Sequence, residues 1–283
     1  MDSLIKSKRP ITVLGAGGFV GSHLVSYMRT RGLDPQAPLK NDDSIFGRDL
    51  GYVVYCIGLT ADYAKRPFDT VEAHTSLLSR ILKESTYESL VYLSSTRLYD
   101  SGQGGGKESQ DLIVNPHNPR HSYDLSKALG EWLCLHTSNG KARVARLASV
   151  YSHDLTDRNF LHTTIEHALL GRNFTLDSNP DAARDYVYID DVCAAILAML
   201  EHKQSDIYNV ASGQNVSNRE LFAMLQTHLG ITVTGTQSGA VAKAPLIDIS
   251  KLKSDFGLRP ALLADKMSYL MESNKTLRAN GTR

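Results

Sequence analysis

The chain is short of cysteine, of long apolar runs and of excess charge of either sign, and each shortage removes a class of protein. Its three cysteines, Cys56, Cys134 and Cys193, stand far apart in apolar segments. That distribution builds neither a disulfide frame nor a metal site and fits reduced thiols in a core. No stretch approaches the roughly 20 apolar residues of a membrane helix. The opening residues MDSLIKSKRP hold no apolar signal core, so a cytoplasmic location is expected. Lys and Arg number 31 against 30 Asp and Glu, with no basic run of the kind that tracks nucleic acid or a membrane surface. The balance leaves small anionic ligands open.

What is present is alternation. PITVLG (10–15), GYVVYCIG (51–58), SLVYLSS (89–95) and ARVARLAS (142–149) are short apolar, β-branched runs that suit strands buried on both faces. Helical patterns lie at 21–31, 69–85 and 123–137. Strand and helix in turn predict an α/β fold with a doubly wound parallel sheet. Residues 100–122 read as a loop, glycines first and prolines later, placed to lie as a lid over a site. Beyond residue 150 the alternation loosens, so 1–150 is expected as one unit and 151–283 as a smaller annex.

The stretch VLGAGGFVGSHL (13–24) runs from a strand through Gly15, Gly18 and Gly21 into a helix. Glycines at that spacing serve either a plain tight turn or a dinucleotide. In the second case Gly15 makes the turn, Gly18 lets the backbone approach a pyrophosphate, and Gly21 lets helix and strand pack closely. The free N–H groups and positive end of the helix would then face the phosphates. Further on, YDLSK places Tyr123 and Lys127 one turn apart on one helix face. An ammonium near a phenol lowers its pKa, so the phenol trades protons near neutral pH. LVYLSSTRLY (90–99) ends a strand in hydroxyl residues at the edge of a parallel sheet where ligands bind. A serine there completes a Ser, Tyr, Lys group.

Taken together, GAGGFVGSHL, LVYLSSTRLYD, SYDLSKALGEWL, ARLASVYS, RDYVYIDDVCAAI, YNVASGQNVSNREL and DISKLKSDFGLRP resemble, in order and spacing, the extended short-chain dehydrogenases/reductases. These are NAD(P)-dependent nucleotide-sugar epimerases, dehydratases and reductases, and the resemblance covers nearly the whole chain. It implies a Rossmann-type fold, with 184–211 returning to the core from a substrate-binding annex. It implies Ser95 as the substrate-holding hydroxyl, with Ser94 as near competitor, and Tyr123 as acid/base. Lys127 would bind the nicotinamide ribose and tune Tyr123. Gly15, Gly18, Phe19, Val20, Gly21 and Gly58 would join Tyr123 and Lys127 around the cofactor. Thr96 and Ser149 would lie on the substrate side, and Arg184 would meet the diphosphate, unless it is only a surface ion pair with Asp185 or Asp190. A homodimer paired through the helices at 69–85 and 123–137 is also implied, and a role in making polysaccharide building blocks fits.

Departures narrow the reading. Eighteen residues past Gly21, where the family commonly holds the adenine ribose with an acid, stands Leu39, followed by Lys40. A lysine at that edge would suit a 2′-phosphate, which leans the cofactor from NAD toward NADP, unless Lys40 is merely solvated. Between Leu39 and Tyr52 there is too little chain for the usual helix, third strand and helix, so one edge unit is expected shortened and the adenine side opened. Thr96 and Arg97 replace the Asp and Glu with which 4,6-dehydratases eliminate water. What remains is hydride transfer at one carbon, as epimerisation or keto-sugar reduction. His74 and Ser149 stand where the family usually has Asn. A second diphosphate arginine is absent, with Lys243 the nearest replacement. Trp132 is read as helix packing. A dinucleotide-binding regulator with little catalysis, or a non-sugar carbonyl reductase, are the competing functions.

Overall fold

Strands rich in β-branched residues form wherever the chain must be buried on both faces, and here they build the main sheet. In the computed structural model, which describes residues 4, 7–102, 104–155, 157, 159–237 and 244–279, β1 (Ile11–Leu14) is buried throughout and leads through the glycine turn into α1 (Phe19–Arg29). β2 (Tyr52–Tyr55) follows, then a helical rod made of α2 (Pro67–Val71), a π turn (Glu72–Ser76) and α3 (Leu77–Glu84). β3 (Ser89–Ser95), α4 (His121–Thr137) and β4 (Ala142–Leu147) complete the first part.

The second part runs β5 (Ser149–Tyr151), α5 (Phe160–Leu169), β6 (Phe174–Leu176), β7 (Ala183–Tyr188), α6 (Ile189–Glu201) and β8 (Ile207–Val210). It ends with β9 (Asn215–Ser217), α7 (Asn218–Leu229), β10 (Val233–Gly235), α8 (Ser250–Phe256) and α9 (Leu263–Ala279). The main sheet is parallel in the order β1-β2-β3-β4-β8, with Val13 opposite Val54, Val54 opposite Val91 and Val144 opposite Ile207. A three-stranded sheet, β5-β7-β9, and a two-stranded one, β10-β6, stand beside it.

The expected edge loss is visible in atomic terms. Next to β1 the chain makes a single parallel bridge, Thr12 to Gln36, with Gln36 N–H donating to Ile11 O at 2.7 Å and Val13 N–H to Gln36 O at 2.8 Å. Pro35 and Pro38 flank that bridge, and a residue without an N–H cannot extend a ladder. Between Gln36 and β2 the described chain forms a short 3-10 turn, Asp43–Ile45, and a single bridge from Asp49 to Thr86, but no strand. β1, central in an ordinary doubly wound sheet, therefore lies next to the edge.

Side chains alternate across the sheet. Val13, Val54 and Val91 face α1 and α6, where Leu24, Met28, Val192, Ile196 and Met199 close one core. Val53, Tyr55, Leu90, Tyr92 and Val144 face α3 and α4, where Leu78, Ile81 and Cys134 close the other. The first core continues without a break into Tyr186, Leu221, Leu225, Met267 and Leu270, so the annex shares it rather than owning one. Of residues 184–211, expected back in the main unit, α6 and β8 lie there, whereas β7 is the centre of the three-stranded sheet because it pairs with β5 and β9. The loop at 100–122 is not a cover. Gly106 bridges Ile247, and Glu108 accepts the Asn209 N–H at 2.9 Å, which ties the segment down beside the end of β8; of its described residues only Asp100 lines the cleft. No described helix is long and apolar enough to cross a membrane.

Candidate active site

At the C-terminal edge of the sheet the glycine turn does two mechanical jobs. Gly15 takes φ +81°, and a Cβ there would lie 3.0 Å from the Cys56 carbonyl carbon. A Cβ on Gly21 would lie 2.3 Å from Gly15 O, so only glycine lets α1 sit this close to the turn. Gly18 caps α1 with no side-chain hydrogen bond, and the first turn carries no acid. Gly18, Phe19 and Val20 line a cleft of about 790 Å³. A helix start with free N–H groups and no competing carboxylate suits a pyrophosphate, so these residues fit a dinucleotide.

The same cleft is lined by Gly58, Ser94, Ser95, Thr96, Arg97, Tyr123, Lys127, Ser149 and Arg184. Strand β3 and helix α4 thus bring together residues 28 or more apart in sequence. Ser95 ends β3 and caps the 3-10 turn Thr96–Tyr99, its Oγ accepting the Arg97 N–H at 3.2 Å. Its hydroxyl also acts on the Tyr123 side chain in the direction that favours the phenolate.

Lys127 departs from its expected effect on that phenol. Burial raises the Tyr123 pKa, and the main opposing influences are the Ser95 hydroxyl and the Arg97 charge. The Lys127 ammonium instead donates to Leu93 O at 2.8 Å and lies 4.8 Å from the Tyr92 ring. Helical spacing put both residues on one face, but the longer side chain reaches past the phenol to the strand. Burial brings Lys127 down to about 7, so it holds and releases a proton near neutrality.

His74, in the π turn, packs edge-on against Tyr123 with ring centroids 5.1 Å apart. Its Nε2 accepts the Leu59 N–H at 3.2 Å, so Nδ1 carries the proton and donates to Ser126 Oγ at 2.8 Å. Burial first, and the Lys127 charge second, push it down to about 3. It is a neutral prop at the position where the resemblance led Asn to be expected. A Cβ on Gly58 would lie 3.3 Å from His74 Nε2 and 3.4 Å from Lys127 Nζ.

Ser94 reaches the cleft from a network that fixes the floor. Its Oγ donates to Glu131 Oε1 at 2.5 Å. Glu131 is held by Arg146 through bonds of 2.9 and 2.6 Å, and Arg146 donates to the Tyr99 hydroxyl at 2.7 Å. Ser94 therefore has a buried partner of its own, whereas Ser95 faces the phenol.

Arg184 lies in the cleft over the Phe160 ring, 5.3 Å from its centroid. The alternative pairing with Asp185 fails, because that carboxylate is filled by the N–H groups of Ser212, Gly213 and Gln214 and the Ser212 hydroxyl, at 2.7 to 3.1 Å. Thr96 Oγ1 donates to Leu147 O at 3.4 Å. Lys40 and the neighbouring Leu39, 83% exposed, lie outside the cleft lining, since the broken edge strand carries them into solvent. Lys243 lies outside the described residues. Trp132 is 53% exposed against His136 and packs into no core. Among the described residues no cluster of His, Cys, Asp or Glu is placed to hold a metal.

Sequence reading missed Tyr63, whose ring lies 5.3 Å from that of Tyr123, and the cleft residues Asp157, Asn159 and Phe160. Asn159 did carry a signal: it precedes an apolar helical run and caps α5 by accepting the His162 N–H. Tyr63 carried none.

Comparison with known proteins agrees with this geometry. The family model for the NAD dependent epimerase/dehydratase family matches residues 11–211. An uncharacterized UDP-glucose epimerase, YtcB, of Bacillus subtilis (strain 168) is 24% identical, covering 92% of this chain and 97% of that protein. The solved structure of MoeE5 in complex with UDP-glucuronic acid and NAD has a TM-score of 0.78 at 19% identity, over 95% of this chain and 99% of that one. RMD from Pseudomonas aeruginosa complexed with NADPH has a TM-score of 0.76 at 21% identity, over 95% and 100%. Because the matched stretch runs from the first strand of the main sheet to just past its last, the chain belongs to the NAD dependent epimerase/dehydratase family.

Proposed function

We propose that the protein is an NAD(P)-dependent epimerase or keto-reductase of a nucleotide-diphosphate sugar, working by hydride transfer at one carbon. The observation that carries this is the convergence, in one cleft, of an uncapped helix start, Ser95 beside Tyr123, Lys127, and Arg184, which makes no ion pair among the described residues. Bound NAD(P) supplies the hydride acceptor and donor. Tyr123 takes or returns the proton of the sugar hydroxyl, and Ser95 holds the same oxygen. Lys127, near 7, stands one helical turn away to hold a proton beside the ribose. Arg184 offers a planar fork to the diphosphate. Thr96 and Arg97 at the dehydratase positions leave no acid there to drive elimination of water.

NADP rather than NAD is favoured only by the charge of Lys40, which stays outside the cleft; relatives carry either cofactor. The reduced edge beside β1 supports a second reading, a dinucleotide-binding regulator, which would bind cofactor without turning over a sugar. A homodimer is part of the main proposal. Phe68 and Val71 on α2, with Leu125, Leu129 and Trp132 on α4, form an exposed apolar stripe of the spacing a second helix pair would cover. A cytoplasmic role in making polysaccharide precursors is consistent with such a substrate.

The deciding experiment titrates UDP and GDP, and separately NAD and NADP, into parent and Arg184→Ala proteins by calorimetry. Arg184→Ala should weaken the nucleoside diphosphate by about 1.5 to 3 kcal/mol, the range for hydrogen bonds to charged groups, with cofactor affinity nearly unchanged. Absence of nucleoside diphosphate binding by the parent at millimolar concentration removes the sugar-nucleotide reading and leaves the regulator or a simple carbonyl reductase.

A further inference from the structure

Arg97 is a charged cleft residue whose side chain the proposed reaction does not use. It follows Ser95 by two residues in the 3-10 turn Thr96–Tyr99, where its backbone is fixed by the Ser95 Oγ contact. Its Nη2 donates to the Tyr63 hydroxyl at 2.5 Å, and its guanidinium carbon lies 4.6 Å from the Tyr63 ring centroid and 5.0 Å from that of Tyr123. The two rings, 5.3 Å apart, form a shelf that holds the cation against the acid/base phenol.

The cation has no anion of its own. Among the described residues Arg97 makes no ion pair; of the two carboxylates that feel its charge, Asp100 pairs with Arg120 at 3.0 Å and Asp124 pairs with it at 3.4 Å through Oδ2 alone, its Oδ1 staying without a hydrogen-bond partner. A half-buried guanidinium with one neutral partner keeps most of its five donors unspent, and removing it from water is favourable only when an anion completes it. In a cleft lined also by Arg184 there are then two cationic positions: one free for the diphosphate, the other beside the reacting group.

We propose that Arg97 is a carboxylate-reading subsite and that the substrate is a nucleotide-diphosphate sugar bearing a carboxylate, a hexuronate. This rests on the nucleotide-sugar reading above and names the substrate class within it. In a hexuronate the carboxylate hangs from the ring carbon next to C4, so a hydroxyl at C4 held by Ser95 and Tyr123 brings the carboxylate to the Arg97 side of the phenol. A planar guanidinium meets a planar carboxylate through two parallel hydrogen bonds, which a hydroxymethyl group cannot reproduce.

The test uses matched neutral and acidic pairs, UDP-glucose with UDP-glucuronate and GDP-mannose with GDP-mannuronate, titrated calorimetrically into the parent with NAD and NADP in turn. The acidic member of at least one pair should bind tenfold or more tighter. Arg97→Gln should erase that preference by weakening only the acidic sugar, with neutral-sugar affinity within about twofold, and Arg97→Lys should keep part of it. Equal affinities within each pair for the parent, or a preference that survives in Arg97→Gln, overturns the proposal while the nucleotide-sugar reading stands. If no member of either pair binds the parent, both fall. The comparison within the parent decides the matter even where the variants fail to fold.

Discussion

Tyr123 is 3% exposed yet faces the cleft, a combination that raises its pKa and makes its neighbours decide when it ionises. Replacing it with Phe removes the hydroxyl and leaves the ring contacts with Tyr63 and His74 in place. Tyr123→Phe should lower turnover of any accepted sugar by roughly two to four orders of magnitude, the usual worth of general acid/base catalysis, with cofactor affinity nearly intact in a parallel titration. Lys127 gives a second residue-scale expectation. Its pKa is about 7 in the folded protein against 10.5 for a freely solvated lysine, so between those values the unfolded chain holds the extra proton. Stability contributed through this group therefore rises with pH from about 7 to 10.5. The thermal midpoint of the parent, measured against Lys127→Met without added cofactor, should climb across that window and be flat in difference above it. A difference that falls with rising pH would contradict the burial seen here.

At the scale of elements, the joint that positions the site is between α4 and β4. Glu131 from the helix and Arg146 from the strand are both buried, and Ser94 and Tyr99 complete their hydrogen bonds. Tyr99 in turn donates to Asn209 Oδ1 at 2.8 Å, which carries the network to β8. Removing one member strands the other charge without water, at a cost of about 3 to 5 kcal/mol. Arg146→Met should therefore lower unfolding free energy in urea by that amount, and the double variant Glu131→Leu with Arg146→Met should recover much of it. If the single and double variants are equally unstable, packing and not the orphaned charge sets the cost. The other element of note is one that scarcely forms. Two prolines confine the segment beside β1 to a single bridge at Gln36, and the described chain adds no further strand outside it. The edge unit is lost at little expense because the cores on both faces of β1 are already closed by α1, α6 and α3.

At the scale of the whole molecule, the exposed apolar side chains of α2 and α4 stand out among the described residues. Phe68 is 89% exposed and Leu129 50%, and large apolar side chains grouped on neighbouring helices rather than scattered mark a contact face. A two-fold pairing would bury the same stripe of each copy. Leu129→Asp should convert the protein to a monomer in analytical ultracentrifugation, with its far-ultraviolet circular dichroism unchanged. A parent that is already monomeric at tens of micromolar would remove the dimer from the proposal.

Much of this was legible in the linear chain. Strands at 89–95 and 142–147 and the helix through Tyr123 follow from local apolar pattern, because a residue buried on both faces or on one stripe leaves its period in the sequence. Gly15 and Gly21 were legible for a similar reason: the space around them admits no other residue. The short stretch between Leu39 and Tyr52 announced the reduced edge, since chain length alone bounds what can be built there. What the linear chain could not decide was where long side chains end. Lys127 has the spacing to serve Tyr123 and yet reaches Leu93, whereas Arg97, two residues from Ser95, turns onto the Tyr63 and Tyr123 rings. Tyr63, in a loop without pattern, enters the site only through folding. Spacing along one element fixes which residues share a face, but electrostatics inside a cleft depend on distances between elements. Those distances are set by how β3, α4 and the loops pack together.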